Sequence, residues 1–344
     1  MSVATTAEGR AIRAQRLRQL LDRRELGGIV LRRPVNFAWY TGGADSRVDH
    51  VAPDGVADIV VTPDAELVIA STMSGPRMRA EQTPDMEVLE HPWWEDAGAA
   101  IHEATSDAAL GSDGRVSGTV DLSAEIDELR RTLDPDAVER LRGIGADVSA
   151  VLGEGSAVVA PGVSESDVAE TLEAACRRRG LWAPVLLVGA DERVERFRHP
   201  LPTNARIAGR ALLAISAERG GLFANHTAIV ELEEPTPELR RRCEACEEIL
   251  GRMRDEATRP GRTLAEAFDD CRRFYAGAGY PDEWRLHHQG GLTGYGSREV
   301  IATPSTSHVI GPGQAFAWNP SVTGAKAEQT VVLTEAGPEI VTGA

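Results

Sequence analysis

PGVSESDVAETLEAACRRRG, residues 161–180, is echoed by PGRTLAEAFDDCRRFYAGAG, residues 260–279. Each stretch opens on Pro-Gly, reads as a helix and closes on Gly; each follows a helical run and precedes strand-like sequence. Pro-Gly ahead of a helix and Gly behind it are ordinary punctuation. A helix-plus-strand unit used twice, however, builds a closed fold of two halves, and a duplication is the expectation here. The halves would pack around a shared cleft, where small molecules commonly bind.

Upstream the pattern changes. Residues 8–24 place Ile12, Leu17, Leu20 and Leu21 at helical spacing, and Gly27 and Gly28 end that helix. Three short apolar runs follow, IVL, then ADIVV near residue 60 and LVIAS near residue 70, bounded by Pro, Gly and Asp as buried strands are. The stretch GSDGRVSGTVD at 111–121 and the helical AEIDELRRTLD after it mark the end of this smaller α/β domain. Two domains are expected, 1–124 and 125–344.

Composition narrows the functional classes. With 344 residues and 42% hydrophobic side chains, each domain can bury a core. A formal net charge of -16 repels a phosphate backbone, so nucleic acid is not an expected partner. The N-terminal stretch is charged throughout and no segment reaches 18 consecutive apolar residues, so neither a secretory leader nor a membrane partner is expected, and the setting is read as cytoplasmic. Four cysteines do not make a disulfide framework. Cys243 and Cys246 form a CxxC in mid-helix, with no second ligand pair, and read as core thiols.

Four segments in fixed order carry the chemistry: RFRHPLPT (196–203), LLAISAERGGLFANHTAIV (212–230), LHHQGGLTGYGSRE (286–299) and AFAWNPSVTGAKAEQTVVLT (315–334). Together with NFAWYTGG (36–43), their order resembles the creatinase, prolidase and aminopeptidase P family across nearly the whole chain. The resemblance implies an α+β protein, with a pita-bread C-terminal domain and a smaller creatinase-type α/β N-terminal domain, and a homodimer. Metal-dependent members hold two divalent ions with two Asp on a hairpin, one His and two Glu. The corresponding positions here are Ser216 and Asn225, on a hairpin that looks two residues short, then His288, Asn319 and Glu328. One carboxylate and one imidazole do not balance two divalent ions, so no metal and no other cofactor is expected. A single ion on His288, Glu328 and His226 is the residual metal possibility.

Creatinase itself, as the family is known, cleaves a C–N bond without metal through a histidine, and RFRHPLPT makes His199 its counterpart. Pro200 holds the backbone before it extended and so aims the imidazole, which near neutrality can take a proton from water and return it to a leaving nitrogen. His287 and His288 are adjacent, so strand alternation would let only one enter the cleft, and the resemblance favours His288. Glu328 leads into an apolar strand, where an acid is rarely without a partner or a role. The catalytic set is thus His199, His288 and Glu328. Arg298 resembles an arginine that binds the substrate carboxylate, a task its planar fork suits. Ser216, Asn225 and Asn319 offer neutral hydrogen bonds to a polar substrate. Tyr295, which stands where family peptidases have another histidine, is counted among the substrate-binding residues, and so is Arg47, read as reaching a neighbouring subunit's cleft. The expected activity is metal-independent hydrolysis of a C–N bond in a small carboxylate-bearing molecule. A metal-dependent Xaa-Pro peptidase, an inactive binding protein and a lyase or cyclase are the alternatives.

Overall fold

The echo quoted above is real structure in the computed structural model, which describes residues 7–106 and 108–343. Helix Glu165–Arg178 and helix Leu264–Gly277 each begin on a capping box, Ser164 with Asp167 and Thr263 with Glu266, and both caps have φ -87° and ψ 157°. A reciprocal cap satisfies two otherwise orphaned helix N–H groups, which is why each helix starts where it does. The chain ahead of each helix is laced to a later strap by matching backbone bonds. Gly162 N donates to Ile207 O and Gly261 N to Ile310 O, while Glu165 N donates to Ala205 O and Leu264 N to His308 O.

Contacts divide the chain between Ala137 and Val138, further along than the expected 124/125 boundary. The reason lies in helix Ser123–Arg130: Arg33 donates to Asp127, and Arg130 donates to Asn36 and Asp127, all within the N-terminal unit. Arg13, fully buried, likewise reaches forward to Asp134 at 2.7 Å. That unit is built on a six-stranded sheet of β1 (Gly28–Leu31), β2 (Ala57–Val61), β3 (Glu66–Ser71), β4 (Glu87–His91), β5 (Leu110–Ser112) and β6 (Val120–Asp121), in the order β4-β3-β2-β1-β5-β6. β1 and β2 are buried along their whole length, β1 as an unbroken apolar run and β2 with one carboxylate, Asp58, paired to Arg32 at 2.7 Å.

Among the described residues, the C-terminal unit holds two larger antiparallel sheets and a two-stranded one. β7 (Trp182–Ala190), β8 (Arg210–Arg219) and β9 (Leu222–Glu231) form the first. The second contains β10 (Gly290–Thr293), β11 (Val300–Ile301), β12 (Ala315–Trp318), β15 (Gln329–Thr334) and β16 (Gly337–Ile340) in the order β11-β10-β12-β15-β16, with β13 (Ser321–Val322) and β14 (Ala325–Lys326) as a separate hairpin. A single bridge, Thr227 to Glu328, joins β9 to the chain entering β15. Behind the second sheet, helices Pro237–Arg252 and Leu264–Gly277 bury Ile249, Phe268 and Phe274 against Phe316 and Trp318. Cys246 lies in this core and Cys243 packs on it; both are free thiols, and burial pushes Cys246 up to about 12. The CxxC is core, as read. Among the described residues, no helix is long and apolar enough to cross a membrane.

Candidate active site

Two backbone devices set the site. At Gly220 and Gly221, φ is 56° and 80°, the left-handed pair that a two-residue hairpin turn needs. This tightest of turns fixes the register of β8 on β9 and puts Ser216 directly opposite Asn225. In the second sheet, Gly290 has φ 96°, and a Cβ there would sit 1.9 Å from the Ala317 carbonyl oxygen. Only glycine lets β10 lie this close to β12, which holds the preceding histidines at the sheet's end.

A cavity of about 330 Å³ opens between these sheets, lined by residues of the C-terminal unit alone. Ser216 and Asn225 face it from the first sheet, and His199 reaches it from the strap before β8. His288, Arg298, Asn319 and Glu328 line it from the second half, joined by Lys326. Seven of the expected site residues are therefore brought together. Tyr295 is not among the lining residues: it is buried, its hydroxyl accepting from Arg140 at 3.3 Å, so the expectation of substrate contact is corrected to one of packing. Arg47 belongs to the N-terminal unit, where its Nε donates to Asp45 at 2.8 Å. His226 alternates to the opposite face of β9 from Asn225 and is no cavity residue.

His199 is held from both sides. Arg198 donates to Glu283 and Thr323, and Thr203 donates through both N and Oγ1 to the fully buried Glu165. Pro200 fills the space against Gly189, where a Cβ would come within 2.6 Å of the proline ring. Between these anchors His199 Nε2 lies 2.9 Å from His287 Nε2. His287 stacks in turn on His288, centroids 4.4 Å apart at 25°. Of the two adjacent histidines only His288 lines the cavity, the one the resemblance favours, but strand alternation is not the reason. Strand β10 begins at Gly290, so residues 287 and 288 lie in the exit from a 3-10 turn, Glu283–Leu286, where strand alternation does not operate.

All three imidazoles are held toward the neutral form. Burial lowers His199, with Lys326 adding to it; burial and Lys326 take His287 down to about 2; burial and Arg298 take His288 down to about 4. Burial pushes the Glu328 carboxyl up, but Lys326 and Arg298 outweigh it and hold it well below the usual carboxylate range. Its oxygens are occupied: Oε1 accepts from Arg298 Nη2 at 2.8 Å, and Oε2 from Lys326 Nζ at 2.9 Å and Thr227 Oγ1 at 2.7 Å. Arg298 Nη1 donates to Asn225 Oδ1 at 2.9 Å and to Ser297 O. Both terminal nitrogens of the guanidinium are thus engaged, and the bidentate fork expected for a substrate carboxylate is already used. Buried polar atoms without a partner remain around the cavity, namely Ser216 Oγ, Asn319 Oδ1, Arg298 Nε and His287 Nδ1. Such groups are costly to bury unless a ligand or water meets them.

Residues 139–335 match the metallopeptidase family M24, and residues 13–143 match the creatinase/prolidase N-terminal domain. The fold is the two-domain pita-bread architecture of creatinases, prolidases and aminopeptidases P, and the chain belongs to family M24. The solved prolidase from Pyrococcus horikoshii OT3 is similar at 14% identity and TM-score 0.80, covering 96% of this chain and 98% of its own. Dipeptidase PepE from Mycobacterium ulcerans is similar at 19% identity and TM-score 0.79, covering 100% and 97%. Xaa-Pro dipeptidase from Bacillus anthracis is similar at 17% identity and TM-score 0.77, covering 97% and 98%. No curated protein matches the chain significantly.

The family implies a metal centre, and the five positions that the resemblance assigns to its ligands do not fit one. Three are neutral, and the carboxylate that remains is saturated by two internal cations and a hydroxyl. The group with ligand-like geometry is a different one: His199, His287 and His288, whose candidate donor atoms lie within 4.8 Å of one another. Neutral imidazoles suit a borderline ion such as zinc, but the positive field of Lys326 and Arg298, which adds to burial in keeping them neutral, also opposes a further cation. Reading of the sequence missed His287 and Lys326. The first was excluded by assuming a strand. The second carried a signal that went unread: it is the only lysine in the chain.

Proposed function

We propose that this protein hydrolyses a C–N bond of a small carboxylate-bearing molecule, with His199 as the base acting on water and without a bound metal ion. The observation that carries this reading is the hydrogen-bonded saturation of Glu328 by Lys326, Arg298 and Thr227. With that carboxylate occupied, the acid and base work falls to imidazole. At 2.9 Å the two Nε2 atoms of the His199–His287 pair are close enough to share one proton, whose side is set by the tautomers. When it sits on His199, the Nδ1 of His199 holds the lone pair a base requires. His199 then takes a proton from water as the water oxygen bonds to the substrate carbon, and gives it to the nitrogen as the C–N bond breaks. Ser216 Oγ and Asn319 Oδ1 are the neutral groups available to orient a polar substrate. A cytoplasmic setting and a homodimer belong to the same reading, and sedimentation analysis checks the second.

The family match and the solved prolidases and dipeptidases favour a second reading, a metal-dependent Xaa-Pro dipeptidase with an altered ligand set. One experiment separates the two. Protein purified without chelators is analysed for bound metal, then assayed on guanidino acids, N-acyl amino acids and Xaa-Pro dipeptides before and after exhaustive chelation. Turnover that survives chelation and disappears in His199→Ala supports the first reading. Stoichiometric manganese, zinc or iron that tracks with activity establishes the second instead. Turnover without oxygen transfer from labelled water would identify a lyase or cyclase, and binding without turnover an inactive relative.

A further inference from the structure

Of the 37 lysines and arginines in the chain, Lys326 is the only lysine. Every other cation is a guanidinium, a planar fork that is weakly hydrated; an ammonium is a compact point charge with three rotatable donors. The single ammonium is placed in the cavity, where its side chain is 7% exposed.

The charges there do not cancel. Lys326 and Arg298 are both paired to the same carboxylate, Glu328, whose side chain is 6% exposed, and the other lining groups that could ionise are His199 and His288. With the imidazoles neutral, one positive charge is left over. A buried charge without a counter-ion is costly, and the neutral Ser216, Asn225 and Asn319 cannot offset it. The donors are also incomplete. Among the described residues, Nζ of Lys326 has one protein partner, Glu328 Oε2, and Arg298 Nε has none. Charge and unfilled donors therefore coincide in one place and ask for the same thing, a monoanion with acceptor oxygens.

We propose that Lys326 Nζ and Arg298 Nε form an anion site that takes the ligand's carboxylate, so that a fixed protein cation supplies the positive charge of this cavity and a metal ion is excluded from it. The proposal deepens the hydrolase reading and rests on it only for identifying the carboxylate with that of a substrate. It reassigns the carboxylate from the terminal nitrogens of Arg298, which are engaged, to the lysine.

Because the chain has one lysine, protein grown with lysine labelled at 13Cε gives a single side-chain resonance that reports this site directly. Titration with acetate and with N-acetylglycine is expected to shift that resonance saturably, while sulfate at equal ionic strength does not. Calorimetry with N-acetylglycine is expected to show binding weakened by about tenfold or more, the equivalent of ~1.4 kcal/mol, in Lys326→Met, and largely retained in Lys326→Arg. Near-UV circular dichroism of both variants establishes that they are folded. One equivalent of Mn2+ is expected to leave the lysine resonance sharp. Absence of a saturable carboxylate shift, an equal response to sulfate, unchanged affinity in Lys326→Met, or broadening by Mn2+ overturns the proposal. A carboxylate shift in a protein that turns nothing over sinks the hydrolase reading and leaves this site standing. Metal-free turnover with no carboxylate shift does the reverse.

Discussion

The two halves of the C-terminal unit begin alike and are furnished differently. Both enter their helices through capping boxes with the same backbone angles, and both lace the preceding Pro-Gly turn to a later strap. At the cavity the first half contributes Ser216, Asn225 and the imidazole of His199, while Arg298, Lys326 and Glu328 all come from the second. A repeated scaffold therefore does not repeat chemistry. The helix starts that define each half are local and set by a few hydrogen bonds, whereas the site is drawn from strand ends and straps, where side chains change without disturbing those bonds.

The largest effect expected from breaking this division is at the first half's imidazole. His199→Ala should lower kcat by about 10²–10⁴-fold, the range for a general base, with an unchanged circular dichroism spectrum; turnover at the wild-type rate would remove His199 from the mechanism. Next in size is the second half's charge cluster. Glu328→Gln leaves Lys326 and Arg298 buried without a carboxylate, and urea denaturation should show a loss of about 3–5 kcal/mol, as for one partner removed from a buried ion pair. Adding Lys326→Met to that variant should recover part of the loss, since the two residues are in contact.

Acid should act through the buried imidazoles of both halves. His287 and His288 are held at about 2 and about 4 in the folded protein, below the ordinary histidine value of 6.5. The unfolded chain therefore binds protons that the folded chain refuses as pH drops below that value. Their contribution is complete above about 6.5 and is lost as pH falls, toward about 4 for His288 and toward about 2 for His287, and the depressed Glu328 carboxyl adds a loss of the same sign at lower pH. Midpoint temperature measured from pH 7 to pH 4 should decline, and His287→Gln with His288→Gln should flatten that decline above pH 5. A profile unchanged in the double variant would place the acid-sensitive groups elsewhere.

The smallest effects test the symmetry itself. Ser164→Ala and Thr263→Ala each remove one N-cap acceptor and should each cost about 1 kcal/mol, equal within the scatter of denaturation experiments. A large inequality would mean that one half depends on its cap and the other does not.

How much of this was legible in the sequence follows from the range of the interactions involved. The echo could be read because capping and helix termination are local. Ser216 and Asn225 could be matched because a two-residue turn fixes every pair along the hairpin it joins. The domain division was drawn short because helix Ser123–Arg130 owes its allegiance to Asn36 and Arg33, contacts far apart in the chain. Tyr295 was read as a site residue because a position in a motif does not say which way the side chain turns, and Arg140 is what it met. His287 was set aside on a period-two assumption that does not hold three residues ahead of a regular strand, and its contact with His199 was missed with it. Lys326 sits two residues from Glu328, a spacing that on an exposed strand is an unremarked pair of solvated charges. Only burial turns it into part of the cavity.

The strap that carries His199 has a further consequence. It is tied through Arg198 to Glu283 on one side and through Thr203 to Glu165 on the other, with Arg193 donating to the carbonyl of Leu201 between them. A loop fastened this way loses its freedom when the protein folds rather than when a ligand arrives, so little ordering is left to oppose binding. Glu165 touches none of the cavity, yet its bonds to Thr203 anchor the strap that carries the imidazole. Loosening it would shift the thermodynamic signature of binding toward unfavourable entropy, and would blunt the reaction without altering any group that takes part in it.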